Sequence, residues 1–378
     1  MINTRTIFQQ PINLFLFFLS LIAAVILSFY PVQATTITGV DFLGQTTLTT
    51  GTLFRDTQIG GLSGITYNPN QDVYYSISDD RSQNNPARFY TLKINFSDNK
   101  LDTVKFTDVT TLLNENGQSF PALSLDPEGI AFTREETVFI SSEGDTNKLI
   151  NPFVNEFTLT GRLVRKLPIP DKFLPMTASK KSGIRNNLSL ESLTITPDQK
   201  HLFTATENAL IQDGEAATPK NGSPSRIVQY NLETGKAEQE FLYFTDAVAG
   251  DSNLSGNLNT NGLVDLAALD NNLLLSLERS FSLGFGNTIK LYEVNLIGAT
   301  NISKIESLGA VDIKKIQPVK KSLLLDLSKL NIPLDNIEGL TLGTTLADGR
   351  RSLILVSDNN FNPLQTTQIL ALGLKVKN

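Results

Sequence analysis

The segment Pro127-Glu128-Gly129-Ile130-Ala131-Phe132 has the composition of a short apolar strand with an acid at its second position. A second apolar run, 137–142, follows it and ends on the carboxylate of Glu143. This pair of runs occurs five times along the chain. The other four pairs begin at Leu62, Leu190, Leu263 and Ile337, and they end on Asp79, Glu207, Glu278 and Asp358.

The spacing of the copies indicates the fold. The second residues of the five first runs lie 63 to 74 residues apart, and a further alternating run follows each copy. Three or four short strands per period form an all-β unit that cannot bury both of its faces alone. Stacking such units around an axis leaves only short edges. We therefore predict an all-β fold, a β-propeller of about six blades, of which five repeats are countable.

The sixth blade has two candidate positions in the sequence. One is the long interval between the fourth and fifth copies. The other involves the strand-like segment 36–53, which could instead close the ring.

Residues 1–34 have the pattern of a secretory signal peptide. Arg5 is their only charge, an apolar run covers residues 12–30, and Pro31-Val32-Gln33-Ala34 resembles a cleavage site. We predict that residues 35–378 form the exported propeller domain, periplasmic or extracellular, with no membrane span. The alternative is a retained N-terminal anchor, because the run approaches the roughly 20 residues that a membrane span needs.

The composition excludes several kinds of site. The 378 residues include no Cys and one His, so thiolate sites are absent and a Ser-His-Asp triad would have to use His201. We expect His201 to be exposed and non-catalytic. A serine-esterase elbow is also missing, because Gly61-Leu62-Ser63-Gly64 is followed by Ile65. With a formal charge of −6 and no basic face, we expect a monomer that binds neither nucleic acid nor an organic cofactor.

Carboxylates at equivalent repeat positions should occupy equivalent places in every blade. Converging carboxylates have raised pKa values unless cations lie among them, and oxygen ligands suit Ca²⁺ or Mg²⁺. We therefore predict a cation site, most simply for Ca²⁺. The alternative is structural, since strand-end acids also accept backbone N–H bonds. The two predicted rings contain Glu128, Glu191 and Glu338 in one, and Asp79, Glu143, Glu207, Glu278 and Asp358 in the other.

Two arginines follow strand-end acids closely. Arg81 lies two residues beyond Asp79, and Arg279 directly follows Glu278. Arginine binds phosphate oxygens through two parallel hydrogen bonds, so if the substrate is a phosphoester, we expect Arg81 and Arg279 to contact its phosphate group. The alternative is an ion pair with a nearby acid.

These stretches resemble the secreted phytase-like family, also called "esterase-like activity of phytase". The resemblance implies a distant similarity to calcium-dependent propeller phytases, which hydrolyse phosphate monoesters. The family usually has an acid where the fourth copy has Val264. The matching stretches include 61–67, 126–130, 190–193, 266–279 and 337–360.

Two functions follow as hypotheses. The first is metal-dependent hydrolysis of a small-molecule phosphate ester, with a phosphoric monoester favoured over a carboxylic ester. The second is a non-catalytic propeller that binds a ligand or a partner protein. The fold does not decide between them, because propellers host many unrelated functions.

Overall fold

The computed structural model describes residues 36–250 and 259–377, so the predicted signal peptide lies outside the described residues. Residues 37–377 form one compact unit. Their regular structure is almost entirely β-strand. The strands are β1 (Thr36–Thr49), β2 (Leu53–Phe54), β3 (Thr57–Gln58), β4 (Leu62–Asn68), β5 (Val73–Ser78), β6 (Arg88–Ser97), β7 (Lys100–Thr111), β8 (Pro127–Phe132), β9 (Thr137–Ser142), β10 (Phe153–Thr158), β11 (Leu163–Leu167), β12 (Leu190–Ile195), β13 (His201–Thr206), β14 (Pro224–Asn231), β15 (Lys236–Phe244), β16 (Thr260–Ala268), β17 (Leu273–Ser282), β18 (Gly286–Asn295), β19 (Lys320–Asp326), β20 (Asn336–Thr345), β21 (Arg351–Asp358) and β22 (Thr366–Lys377).

The helices in the described part of the chain are short 3-10 turns. They are Asp171–Phe173, Leu308–Ala310, Ile313–Lys315 and Leu327–Leu330. None of them has the length or the apolar character needed to cross a membrane.

Five four-stranded sheets form the blades of a propeller, which confirms the predicted fold class. From the axis outwards their orders are β4-β5-β6-β7, β8-β9-β10-β11, β12-β13-β14-β15, β16-β17-β18-β19 and β20-β21-β22-β1. The innermost strands β4, β8, β12, β16 and β20 contact one another in a closed ring.

The described residues contain five blades, one fewer than the predicted figure of about six. The interval between the fourth and fifth repeats forms the outer strand β19 and three of the 3-10 turns. The segment Thr36–Thr49 is the outer strand of the fifth blade, where it pairs with β22. An N-terminal strand and three C-terminal strands therefore close the ring.

The core consists of layers between adjacent blades. Alternating residues of a strand point to opposite faces of its sheet, so a strand in a sheet that is covered on both faces is apolar on both faces. In β21, Leu353 and Leu355 pack against the fourth blade, whereas Ile354 and Val356 pack against the first. Each of the five junctions between blades has its own buried apolar cluster.

This layered core gives a stability prediction. Leu355 is fully buried between the fourth and fifth blades, so Leu355→Ala should lower the free energy of unfolding by about 2–5 kcal/mol through lost burial and a cavity. Leu364 is 91% exposed, and Leu364→Ala should change it by less than about 0.5 kcal/mol. Urea unfolding of both variants tests this. Equal effects would contradict the described core.

Candidate metal centre

A β-bulge interrupts each inner strand at the same repeat position. In four of the five blades the pairing between first and second strands skips one residue, and in the second blade it skips two. A bulged residue leaves the ladder and its side chain is re-aimed. The bulged positions are the second residues of the repeats: Ser63, Glu128 with Gly129, Glu191, Val264 and Glu338.

The strand pairing also shows which residues occupy the positions of the second predicted ring. In the first blade Leu62 pairs with Ser78, which makes Asp79 the next residue on the partner strand. The same rule gives Glu143, Glu207 and Asp358 in the second, third and fifth blades. In the fourth blade, Leu263 pairs with Glu278 itself, so the equivalent residue is Arg279.

Glu278 therefore lies outside the predicted ring, contrary to expectation. Its two carboxylate oxygens accept four hydrogen bonds, and its side chain is 1% exposed. The donors are the Tyr243 hydroxyl at 2.7 Å, Lys321 Nζ at 2.6 Å, the Asp246 backbone N–H at 2.8 Å and Asn261 Nδ2 at 3.0 Å. A carboxylate held in this way is a structural acid.

Eight carboxyl groups converge where the bulges and strand ends meet, and we call them the carboxylate cluster. Two guanidinium groups, of Arg81 and Arg279, accompany them, so the cluster would carry six net negative charges if every acid were ionised. Five of the acids line a cavity of about 610 Å³ together with both arginines. The cluster comprises Asp79, Asp126, Glu128, Glu143, Glu191, Glu207, Glu338 and Asp358.

Burial is the main cause of the raised pKa values in the cluster, and repulsion between neighbouring carboxylates adds to it. These two effects raise the pKa of Asp79 to about 8. Burial also raises the pKa of Asp126 to about 6 and that of Glu207 to about 7, against the lowering effect of Arg81 and Arg279 respectively. The pKa of Glu143 is raised well above its usual range.

Asp126, Glu128 and Glu143 form the tightest group of acids. One carboxylate oxygen from each lies within 4.8 Å of the other two, and all three residues are buried. Glu143 accepts a short hydrogen bond from the Ser189 backbone N–H, while its Oε2 has no hydrogen-bond partner in the part of the chain that the structure describes. A buried carboxylate oxygen without a donor is costly, so this group fits a hard cation.

The comparison of the repeats did not identify Asp126 as a site residue, because the other copies have no acid at its position. The equivalent residues are Gly61, Ser189, Gly262 and Asn336. The local signal was its place directly before the Pro127-Glu128-Gly129 box.

Both predicted phosphate-binding arginines reach the cavity, but each is paired with acids. Arg81 binds both oxygens of Asp126, through Nε at 2.6 Å and a terminal nitrogen at 2.5 Å, and donates to Asn187 at 2.8 Å. Arg279 donates to Glu338 at 2.7 Å and lies 3.8 Å from Glu207. Each guanidinium charge is therefore largely compensated within the protein.

His201 begins strand β13, whereas Glu207 directly follows the end of that strand. The histidine is thus at the opposite end of its blade from the cluster. It is half-buried, which differs from the exposed position we expected, and it is remote from the carboxylates.

These features define a five-bladed β-propeller with an acidic centre at one mouth of its axis. Within this class, the chain belongs to the family described as "Phytase-like: Esterase-like activity of phytase", whose model matches residues 57–361. The resemblance identified from the sequence is confirmed. The matched range contains all eight acids of the cluster.

Individual relatives are distant. A protein of Arthroderma benhamiae, described as an uncharacterized secreted protein, is 26% identical over 144 residues, which cover 32% of this chain and 27% of that protein. The chain thus aligns with about a quarter of that relative's length.

Solved structures also show similarity. An α-L-arabinofuranosidase from Lactobacillus brevis is 12% identical with a TM-score of 0.43, over 83% of this chain and 91% of that one. The Dos1 propeller is 9% identical with a TM-score of 0.33, over 82% and 67%. Likenesses at this level carry no information about activity.

The raised pKa values predict how stability depends on pH. Between an ordinary carboxyl pKa near 4 and the raised values of about 6 to 8, the folded protein binds more protons than the unfolded chain. The free energy of unfolding therefore falls as pH rises through this window. In chelator, we expect the melting temperature to decrease from about pH 5 to about pH 8.

Two variants check the origin of this slope. Glu143→Gln removes one of the acids with a raised pKa and should flatten the slope, whereas Glu215→Gln changes an exposed acid and should not. Asp246 is partly buried, but hydrogen bonds from Lys290, Lys321 and Tyr292 hold its pKa well below its usual range. Its protonation therefore affects stability only at a pH below this window. A melting temperature that is constant or rises across the window would contradict the prediction.

Proposed function

We propose that this protein is a divalent-cation-dependent phosphoester hydrolase whose cation lies between Asp126, Glu128 and Glu143. The observation that carries the proposal is the convergence of three buried carboxylates within 4.8 Å, with no described residue bonded to Glu143 Oε2. Membership of the phytase-like family supports it.

The donor set favours a hard cation. Only carboxylate oxygens are present in the group, which suits Ca²⁺ or Mg²⁺ better than softer metals. Such a cation, when bound, supplies Lewis acidity towards a phosphoryl oxygen and lowers the pKa of water.

The chain's own residues would orient these ligands. Arg81 grips both oxygens of Asp126 and so fixes the plane of that carboxylate. The Ser189 N–H holds Oε1 of Glu143, and Oε2 has no hydrogen-bond partner among the described residues. Outer contacts of this kind typically change metal affinity by about 10–100-fold when they are removed.

The cavity favours a substrate with few charges. Its floor is acidic, and Arg81 and Arg279 are both engaged by acids. Part of its wall consists of neutral amide side chains, including Asn187, Asn287 and Asn360. An acidic site repels polyanions, so a monophosphate ester fits better than a highly phosphorylated compound.

We also propose that the protein is exported to the periplasm or beyond. The support is the apolar pattern of residues 12–30 and the partial likeness to a secreted protein.

A non-catalytic propeller that binds a cation or ligand is the second candidate. The pairing of both arginines with acids favours it, because a hydrolase needs positive groups for the phosphate.

The deciding experiment is an activity assay of residues 35–378 on an aryl phosphate and an aryl carboxylate ester. We expect phosphatase activity that requires Ca²⁺ or Mg²⁺ and disappears in chelator. Glu143→Gln should lower kcat/KM by about a hundredfold or more, because it removes a predicted ligand. Glu215→Gln, which replaces an acid exposed on the surface, is the matched control.

Cation binding without turnover of either ester would favour the non-catalytic candidate. Activity that persists in chelator would contradict the proposed role of the cation.

Substrate charge provides a separate test. Because the cavity is acidic, kcat/KM for a simple monophosphate ester should exceed that for inositol hexakisphosphate by about tenfold or more at low ionic strength. The difference should shrink as salt screens the charges. A preference for the hexakisphosphate would contradict this description of the mouth.

A further inference from the structure

The fourth blade departs from the other blades at the centre of the propeller. It supplies Val264 at the bulge position, where three other blades supply Glu. At the strand end it supplies Arg279, where the four other blades supply Asp or Glu. The fourth blade thus contributes a positive charge and no carboxylate to the cluster.

Arg279 lies between acids from the two neighbouring blades. Its terminal nitrogen donates to Glu338 of the fifth blade at 2.7 Å and lies 3.8 Å from Glu207 of the third blade. Its side chain is 14% exposed. Glu207 is 98% buried, and its Oε1 has no hydrogen-bond partner within the described residues.

The cluster therefore has two unlike halves. On the side of the second blade, Asp126, Glu128 and Glu143 converge, and Glu143 Oε2 has no donor among residues 36–250 and 259–377. A guanidinium lies on each side: Arg81 binds Asp126 and is 29% exposed, whereas Arg279 lies among the acids on the side of the fourth blade and is 14% exposed. Water screens the charge of the more exposed Arg81 better than that of Arg279, so repulsion disfavours a divalent cation beside Arg279 more than beside Arg81.

We propose that Arg279 is a built-in counter-ion that limits the cluster to one divalent cation, bound on the side of the second blade. Without this charge, Glu191, Glu207 and Glu338 would face one another and form a second cation site. This inference rests on the proposed cation site and adds the number of cations and the residue that sets it.

Calorimetric titration of residues 35–378 with Ca²⁺ tests the inference directly. The wild-type protein should bind one cation, Arg279→Gln should bind two, and Arg279→Lys, which keeps the charge, should bind one. Two cations in the wild type, or one in Arg279→Gln, would overturn the inference. No binding by the wild type would overturn both this inference and the proposed function.

A second pair of variants gives the answer even if Arg279→Gln fails to fold. Glu207 faces Arg279, so Glu207→Gln should still bind one cation with affinity within about tenfold of the wild type. Glu143→Gln should weaken binding by about a hundredfold or more. Equal losses in the two variants would make Glu207 a ligand and refute the division of the cluster, while leaving the proposed function intact.

Discussion

The close approach of five inner strands around one axis governs the rest of this structure. A Cβ atom added at Gly64 would lie 2.5 Å from the carbonyl oxygen of Glu128, and one at Gly339 would lie 2.9 Å from that of Ser63. No side chain fits at these positions. The preceding residue in each inner strand forms a bulge, and in three blades that residue is a glutamate. The spacing of the backbones thus brings the carboxylates together.

In the fourth blade, a residue other than glycine lies at this crowded position. Asp265 occupies the position of Gly64 and Gly339, and its carboxylate accepts hydrogen bonds from the backbone N–H of Leu340 at 2.7 Å and of Leu193 at 3.3 Å. It connects the inner strands of the blades on either side. The same blade has Val264 and Arg279 where other blades have acids. The fourth blade thus stabilises the centre of the ring, while the other blades supply its acids.

The sequence predicted the parts of the structure that recur. The repeat identified the propeller and seven of the eight acids in the cluster, because equivalent positions in equivalent blades become neighbours. The sequence did not predict the features that occur in one blade only. Asp126 has no acidic counterpart in the other repeats, and the run Leu273–Leu277 is too uniform to reveal that the fourth strand pair is displaced by one residue.

The predicted figure of about six blades exceeded the five in the described residues for a similar reason. The fifth blade takes its outer strand from Thr36–Thr49, far from the repeat that it completes, so no periodicity relates the two. The pairing of both arginines also depends on contacts between segments that are 45 and 59 residues apart. Such contacts leave no local pattern in a sequence.

The pairing of β1 with β22 has a consequence for how the molecule folds. The bonded residues Thr38 and Lys375 of these strands are 337 residues apart in sequence, and contacts of such separation form slowly because a long loop must close first. Glu338 and Asp358 belong to the blade whose outer edge this pairing completes. We therefore expect the acidic centre to be completed late in folding, after the apolar layers between the earlier blades, so that repulsion between its carboxylates acts mainly on the closure of the ring.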